Sequence, residues 1–154
     1  MKRRLSIRSK IVLILVVTLL ISAHLQGQNW KRGLAVVGYH TATIALGAIG
    51  DAQYDMGNKN TAHILKAGEV ATLIGGPFIF RVDKRDAASY LLSYCFLRFS
   101  LFDSFYNLTR DLPLLYNGTT SKYDQFMTQI PPHGRAWRKS CSLVVGFSIP
   151  IRNL

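Results

Sequence analysis

Residues 34–50, LAVVGYHTATIALGAIG, contain no Asp, Glu, Lys or Arg. The run is longer than an ordinary strand, so it predicts a helix. Gly33, Gly38, Gly47 and Gly50 lower helix propensity in water. They would also allow a neighbouring helix to approach closely, as small residues do inside membranes. Any fold for this chain must accommodate that segment.

Punctuation downstream predicts further helices. DMGNKN, 55–60, is a turn cluster, and Asn60 or Thr61 is placed to cap a helix over 61–76. Gly75, Gly76 and Pro77 are expected to break it. A charged loop, RVDKRD at 81–86, precedes a third helix over 87–110, with Asp86 as its cap and Asp111, Leu112 and Pro113 as its stop. After an Asn-Gly loop at 114–121, SKYDQFMTQI predicts a short helix capped by Ser121 and ended by Pro131 and Pro132. HGRAWRK reads as a basic connector. SCSLVVGFSIPI suits a short buried helix or, by the alternation of Val145, Phe147 and Ile149, a strand ended by Pro150. The expected fold is mainly α, a small bundle of about four helices forming one domain over 29–154.

The N-terminus has a different logic. MKRRLSIRSK is basic and IVLILVVTLLISA, 11–23, is apolar. That order is the layout of a secretory signal, and the apolar part is short beside the roughly 20 residues of a bilayer span. Residues 1–28 are therefore expected to be a signal peptide or an anchor helix, with the mature chain in the cell envelope, periplasmic or membrane-associated. The composition agrees: 49% hydrophobic, and 18% charged against about 25% in soluble domains.

The net charge of +11 comes from 19 Lys+Arg and 8 Asp+Glu, and Lys2, Arg3, Arg4, Arg8 and Lys10 all lie in the leader. The remaining basic residues are scattered, and no recognition motif accompanies them, so nucleic acid is not an expected partner. Membrane lipid is, together with an envelope protein partner or a second copy of the chain. Cys95 and Cys141 fall in apolar runs and read as small buried hydrophobes rather than a disulfide.

Segments 34–50 and 61–80 could form a membrane hairpin. Against that stand His63, Lys66 and Glu69, because mid-span charge costs at least about 2.5 kcal/mol each. The basic pairs at 31–32 and 81–85 also conflict with the positive-inside tendency if three spans begin inside. These points favour an exported helical domain, or one resting on the membrane.

Two polar sets are candidates for chemistry. If the first helix continues through Asp55, His40, Asp51 and Asp55 share a stripe, and an antiparallel hairpin would bring His63 towards them. Two carboxylates and two imidazoles on facing helices would make a catalytic acid–base cluster or a site for a divalent metal. The bland alternative is a turn carboxylate at Asp55, a solvated Asp51 and His63, and a core His40. The D-x-x-x-D-x-G fragment lacks the ligand spacing of a calcium loop. The second set, Asp103, Asn107 and Arg110, shares one face of the third helix and reads as a structural clamp on the segment that follows, with Tyr106, Tyr116 and Tyr123 as hydroxyl partners.

The block LLSYCFLRFSLFDSFYNLTRDLPLLYNGTTSKYD, 91–124, followed by SLVVGFSIPI, resembles a pattern in uncharacterised small helical envelope and membrane proteins of Bacteroidota and their phages. The resemblance covers about a third of the chain and implies no activity. Three functions are therefore expected in turn: a structural or interaction protein of the envelope, a hydrolase using His40, Asp51, Asp55 and His63, or a membrane-active accessory of phage lysis.

Overall fold

The structure is a computed structural model and describes residues 30–114, 116, 125 and 127–153. The leader at 1–28 and the start of the short helix expected over 121–130 lie outside the described residues.

Four helices carry the fold: α1 (Trp30–Asp55), α2 (Lys59–Ile79), α3 (Ala87–Thr109) and α4 (Pro132–Asn153). α1 is the central element. It packs against each of the other three, while α4 also lies along α3. Its buried side is largely small: Gly33, Val36, Val37, His40, Thr43, Ile44, Gly47, Ala48, Gly50 and Ala52. A helix so rich in glycine gains little from propensity, so its stability comes from this packing. Val37 and Ile44 meet Tyr94 and Leu97 of α3, with Leu73, Phe105 and Phe147 around them.

The first turn is tight. Gly57 takes φ +87°, a region that costs an L side chain strain but glycine nothing. α2 then begins at Lys59, earlier than the expected Asn60 or Thr61 cap. Asn58 holds the cap position without a side-chain capping bond and donates instead to Gln53 Oε1 at 2.7 Å. Asp86 does stand at the start of α3, though its carboxylate makes no capping bond either.

Several expected helix stops do not act as stops. α2 runs through Gly75, Gly76 and Pro77 to Ile79, because a proline two residues from the end removes only one ladder bond. The end is tied down elsewhere: Val82 N–H donates to Pro77 O at 2.8 Å, and the Arg32 guanidinium donates to Phe80 O. The expected connector HGRAWRK is the first third of α4, and Pro132 opens that helix, where a missing N–H costs nothing. The strand alternative for the C-terminal segment is replaced by helix, which continues past Pro150 to Asn153. Cys95 and Cys141 are free, as expected, but exposed rather than buried.

The α3–α4 seam is held by serines. Ser93 Oγ donates to Gly146 O at 2.7 Å, Ser142 Oγ to Phe96 O at 3.0 Å and Ser100 Oγ to Lys139 O at 2.6 Å. These contacts run antiparallel, and Gly146 leaves room for Leu97 between them.

Candidate functional site

The charges inside the apolar helices converge on Glu69, which is 6% exposed. It sits on α2 facing α1 and α3. Lys66, one turn earlier, lies 3.0 Å from Glu69 Oε2 and 3.0 Å from Asp51 Oδ1 of α1. Arg98 of α3 pairs with Glu69 Oε1, to which Tyr94 also donates at 3.3 Å. Arg98 in turn donates to the Tyr94 hydroxyl at 3.0 Å, and its guanidinium lies 4.4 Å from the centre of the Phe102 ring. The order Asp51, Lys66, Glu69, Arg98 alternates in sign across three helices and sums to zero formal charge.

Small residues on α1 create the space. A Cβ at Gly47 would overlap the Glu69 carboxylate, and one at Gly50 would press on the Lys66 stem at 3.1 Å. The glycines that weaken α1 as an isolated helix thus seat an ion pair against its backbone. Farther along, Gly76 makes the same kind of room for the Tyr90 hydroxyl.

Chemically the quartet is a clamp. Glu69 accepts from two cations and a phenol, so both its oxygens are engaged, and neither is left to take a proton from a substrate. Among the described residues no three His, Cys, Asp or Glu side chains are grouped to hold a metal ion.

His40, Asp51, Asp55 and His63 are accordingly not one site here. His40, 1% exposed, lies edge-on to Tyr90 and Tyr94 with ring centroids at 4.4 and 5.6 Å, and its Nε2 has no hydrogen-bond partner. Asp51 joins Lys66. Asp55 accepts from the Tyr106 hydroxyl and lies 3.7 Å from Arg110. His63 is exposed, with its ring centroid 6.5 Å from that of Tyr54. Each of the four has a different neighbourhood because the hairpin turns α2 so that Lys66 and Glu69, not His63, face α1.

The second set is also divided. Asn107, 2% exposed, donates to Leu114 O at 3.3 Å and Tyr116 O at 2.9 Å, clamping the chain that leaves α3. Asp103 pairs with Lys139 of α4 at 2.6 Å, and Arg110 with Tyr106 and Asp55. Tyr116 contributes its backbone carbonyl, and Tyr123 lies outside the described residues. Glu69 and Arg98 are what sequence reasoning missed as partners. Their signal was present, since they are isolated charges in long apolar helices, but nothing local showed that they face one another.

No protein-family model, curated protein or solved structure matches this chain.

Proposed function

We propose that this chain is a membrane-seated helical bundle of the cell envelope, with a structural or interaction role. The observation that carries this reading is the orientation of α2. Its apolar stripe points outward, with Ile64 73%, Ile74 63% and Phe78 78% exposed, while Glu69 is buried in the bundle and Lys66, its side chain 38% exposed, reaches back to it. In water this is the costly orientation, since burying each such side chain is worth about 1.5–3 kcal/mol. In a hydrocarbon solvent it is the favourable one.

Four features support the same reading. α1 is long and apolar enough to cross a bilayer. α2 and α3 match in length alone, at 21 and 23 residues or about 32 and 35 Å against a hydrocarbon core of about 30 Å; among the described helices only α1 is also apolar enough. Mid-helix charge, the sequence-level objection to a membrane hairpin, is met by pairing across helices: Glu69 with Arg98 and Lys66, Asp103 with Lys139. Finally, eight Thr and Ser hydroxyls are satisfied within the protein, although the buried Tyr90 hydroxyl has no partner. Thr41, Thr43, Thr72, Thr109 and Ser148 donate to carbonyls one turn back, and Ser93, Ser100 and Ser142 cross to a neighbouring helix, the polar glue of membrane interfaces.

The test is alkaline carbonate extraction of membranes carrying the full chain, followed by labelling with an apolar photoreactive probe and peptide mapping. The protein is expected to stay in the pellet and to carry label on residues 64–79. Release into the supernatant, or label confined to residues 1–28, would overturn the proposal.

A further inference from the structure

An apolar furrow of about 610 Å³ runs between the outer faces of α3 and α4. Leu92 and Phe96 stand on its α3 wall and Trp137 and Val145 on its α4 wall, with Arg138 among them. Arg138 is exposed and has no ion-pair or hydrogen-bond partner among the described residues, whereas Lys139 beside it is committed to Asp103. Depth decides what can pair with Arg138. Ser100 Oγ donates to Lys139 O at 2.6 Å, so Arg138 lies level with a point close to the middle of α3. In a bundle seated in a bilayer that point is in hydrocarbon, out of reach of lipid headgroups. A charge there is expensive and is ordinarily paired with another protein group. Acyl chains can cover the apolar walls but cannot satisfy the guanidinium, so what covers this face must bring an anion at the same depth.

The chain itself carries such an anion. Leu92, Phe96 and Asp103 are spaced four and then seven residues apart, so Asp103 falls on the furrow face of α3. Its side chain is 29% exposed and its one partner among the described residues is Lys139, at 2.6 Å. A carboxylate can accept more than one donor, and Glu69 in the same bundle already serves two cations. Asp103 and Arg138 both flank Lys139, which puts them within about one helical turn of the same depth. Two copies inserted the same way are related by a two-fold axis along the bilayer normal, and such an axis preserves depth. It brings Arg138 of each copy opposite Asp103 of the other, giving two reciprocal pairs in one contact.

We propose that the α3–α4 furrow is the interface of a parallel homodimer, in which the α3 wall of each copy lies in the furrow of the other and Arg138 pairs with the partner's Asp103. Between helices in lipid there is no hydrophobic drive to associate, so close packing and polar contacts of this kind select the partner. The guanidinium fork suits a carboxylate. The inference rests on the membrane-seated reading and adds to it the partner, a second copy of the chain, and the residues that select it.

Asn60→Cys, at the exposed start of α2, gives a single labelling site in a chain whose own thiols are removed by Cys95→Ser and Cys141→Ser. Donor- and acceptor-labelled copies are reconstituted together in phosphatidylcholine vesicles at increasing dilution in lipid. Energy transfer is expected to exceed that of chance encounters and to follow a monomer–dimer equilibrium. Arg138→Gln should weaken dimerisation about tenfold, the scale of two interhelical polar contacts in a bilayer, and Arg138→Lys should retain part of the affinity. Asp103→Asn should weaken it similarly. The double variant Arg138→Gln/Asp103→Asn should be no weaker than the weaker single variant, because both changes remove the same pairs. Helical circular dichroism is expected to be unchanged throughout. Transfer no greater than chance, a dimer indifferent to Arg138→Gln, or additive losses in the double variant would overturn the inference and leave the bundle in lipid. A chain that does not float with the vesicles would remove both.

Discussion

Glu69 shows how a single side chain organises its surroundings. A carboxylate this deeply buried is tolerable only while its partners remain, and removing one member of such a pair strands the other. The two sides are not equivalent. Arg98→Met leaves Glu69 with Lys66 at 3.0 Å, whereas Glu69→Leu leaves Arg98 with Tyr94 and ring faces but no anion. Unfolding in detergent should therefore show a loss of about 3 kcal/mol for Glu69→Leu and about 1.5 kcal/mol for Arg98→Met. The double variant should return to within about 1 kcal/mol of the wild type, because no unpaired charge remains. Strictly additive losses would mean that the two side chains do not share an energy. At this scale the sequence was informative about residue type but not about partnership. Asn107 was recognisable as a clamp because what it holds is only a few residues away in the chain. The Glu69–Arg98 pair, 29 positions apart, was not.

At the scale of elements, α2 is the decisive helix. Residues 64, 67, 71, 74 and 78 form one apolar stripe at helical spacing, and such a stripe is ordinarily assigned to the core. Here it faces away from α1. Lysine placed on it separates the two environments. On a water-facing surface, Ile74→Lys would change stability by no more than about 0.5 kcal/mol, whereas against acyl chains the cost is about 2.5–3.5 kcal/mol. The carbonate-resistant fraction is expected to fall clearly for Ile74→Lys and to stay unchanged for Asn60→Lys, at the exposed start of the same helix. Equal behaviour of the two variants would count against lipid contact by α2. The existence of α1, α2 and α3 was legible in the apolar runs, but α4 was not settled as a helix and several helix ends were misplaced. Pro77 and Pro150 sit near C-terminal ends, where proline costs little, and Pro132 sits at a first helical position that favours it. The same residue type therefore carries opposite meanings at the two ends of a helix.

For the whole molecule, exposed apolar side chains occur on three helices: Ile64, Ile74 and Phe78 on α2, and Leu91, Leu92, Phe96, Trp137 and Val145 on α3 and α4. A surface apolar on more than one side suits a surrounding solvent better than a single docked partner. The purified chain is expected to be monodisperse and strongly helical in detergent, and to precipitate when detergent is diluted below its micellar concentration, as followed by size-exclusion chromatography and light scattering. A clear monomeric solution after dilution would be incompatible with a lipid-facing exterior. The fold class and three of the four long helices were legible in the sequence, because run length and the turn residues between runs act locally; the fourth read as a basic connector followed by a segment that suited helix or strand. Which way α2 faces and which charges meet emerged only from the packing of the helices, because periodicity states that residues share a side of a helix without stating what that side looks towards. That direction is set by the glycines of α1, whose missing side chains let Glu69 and Lys66 in and turn the apolar stripe out.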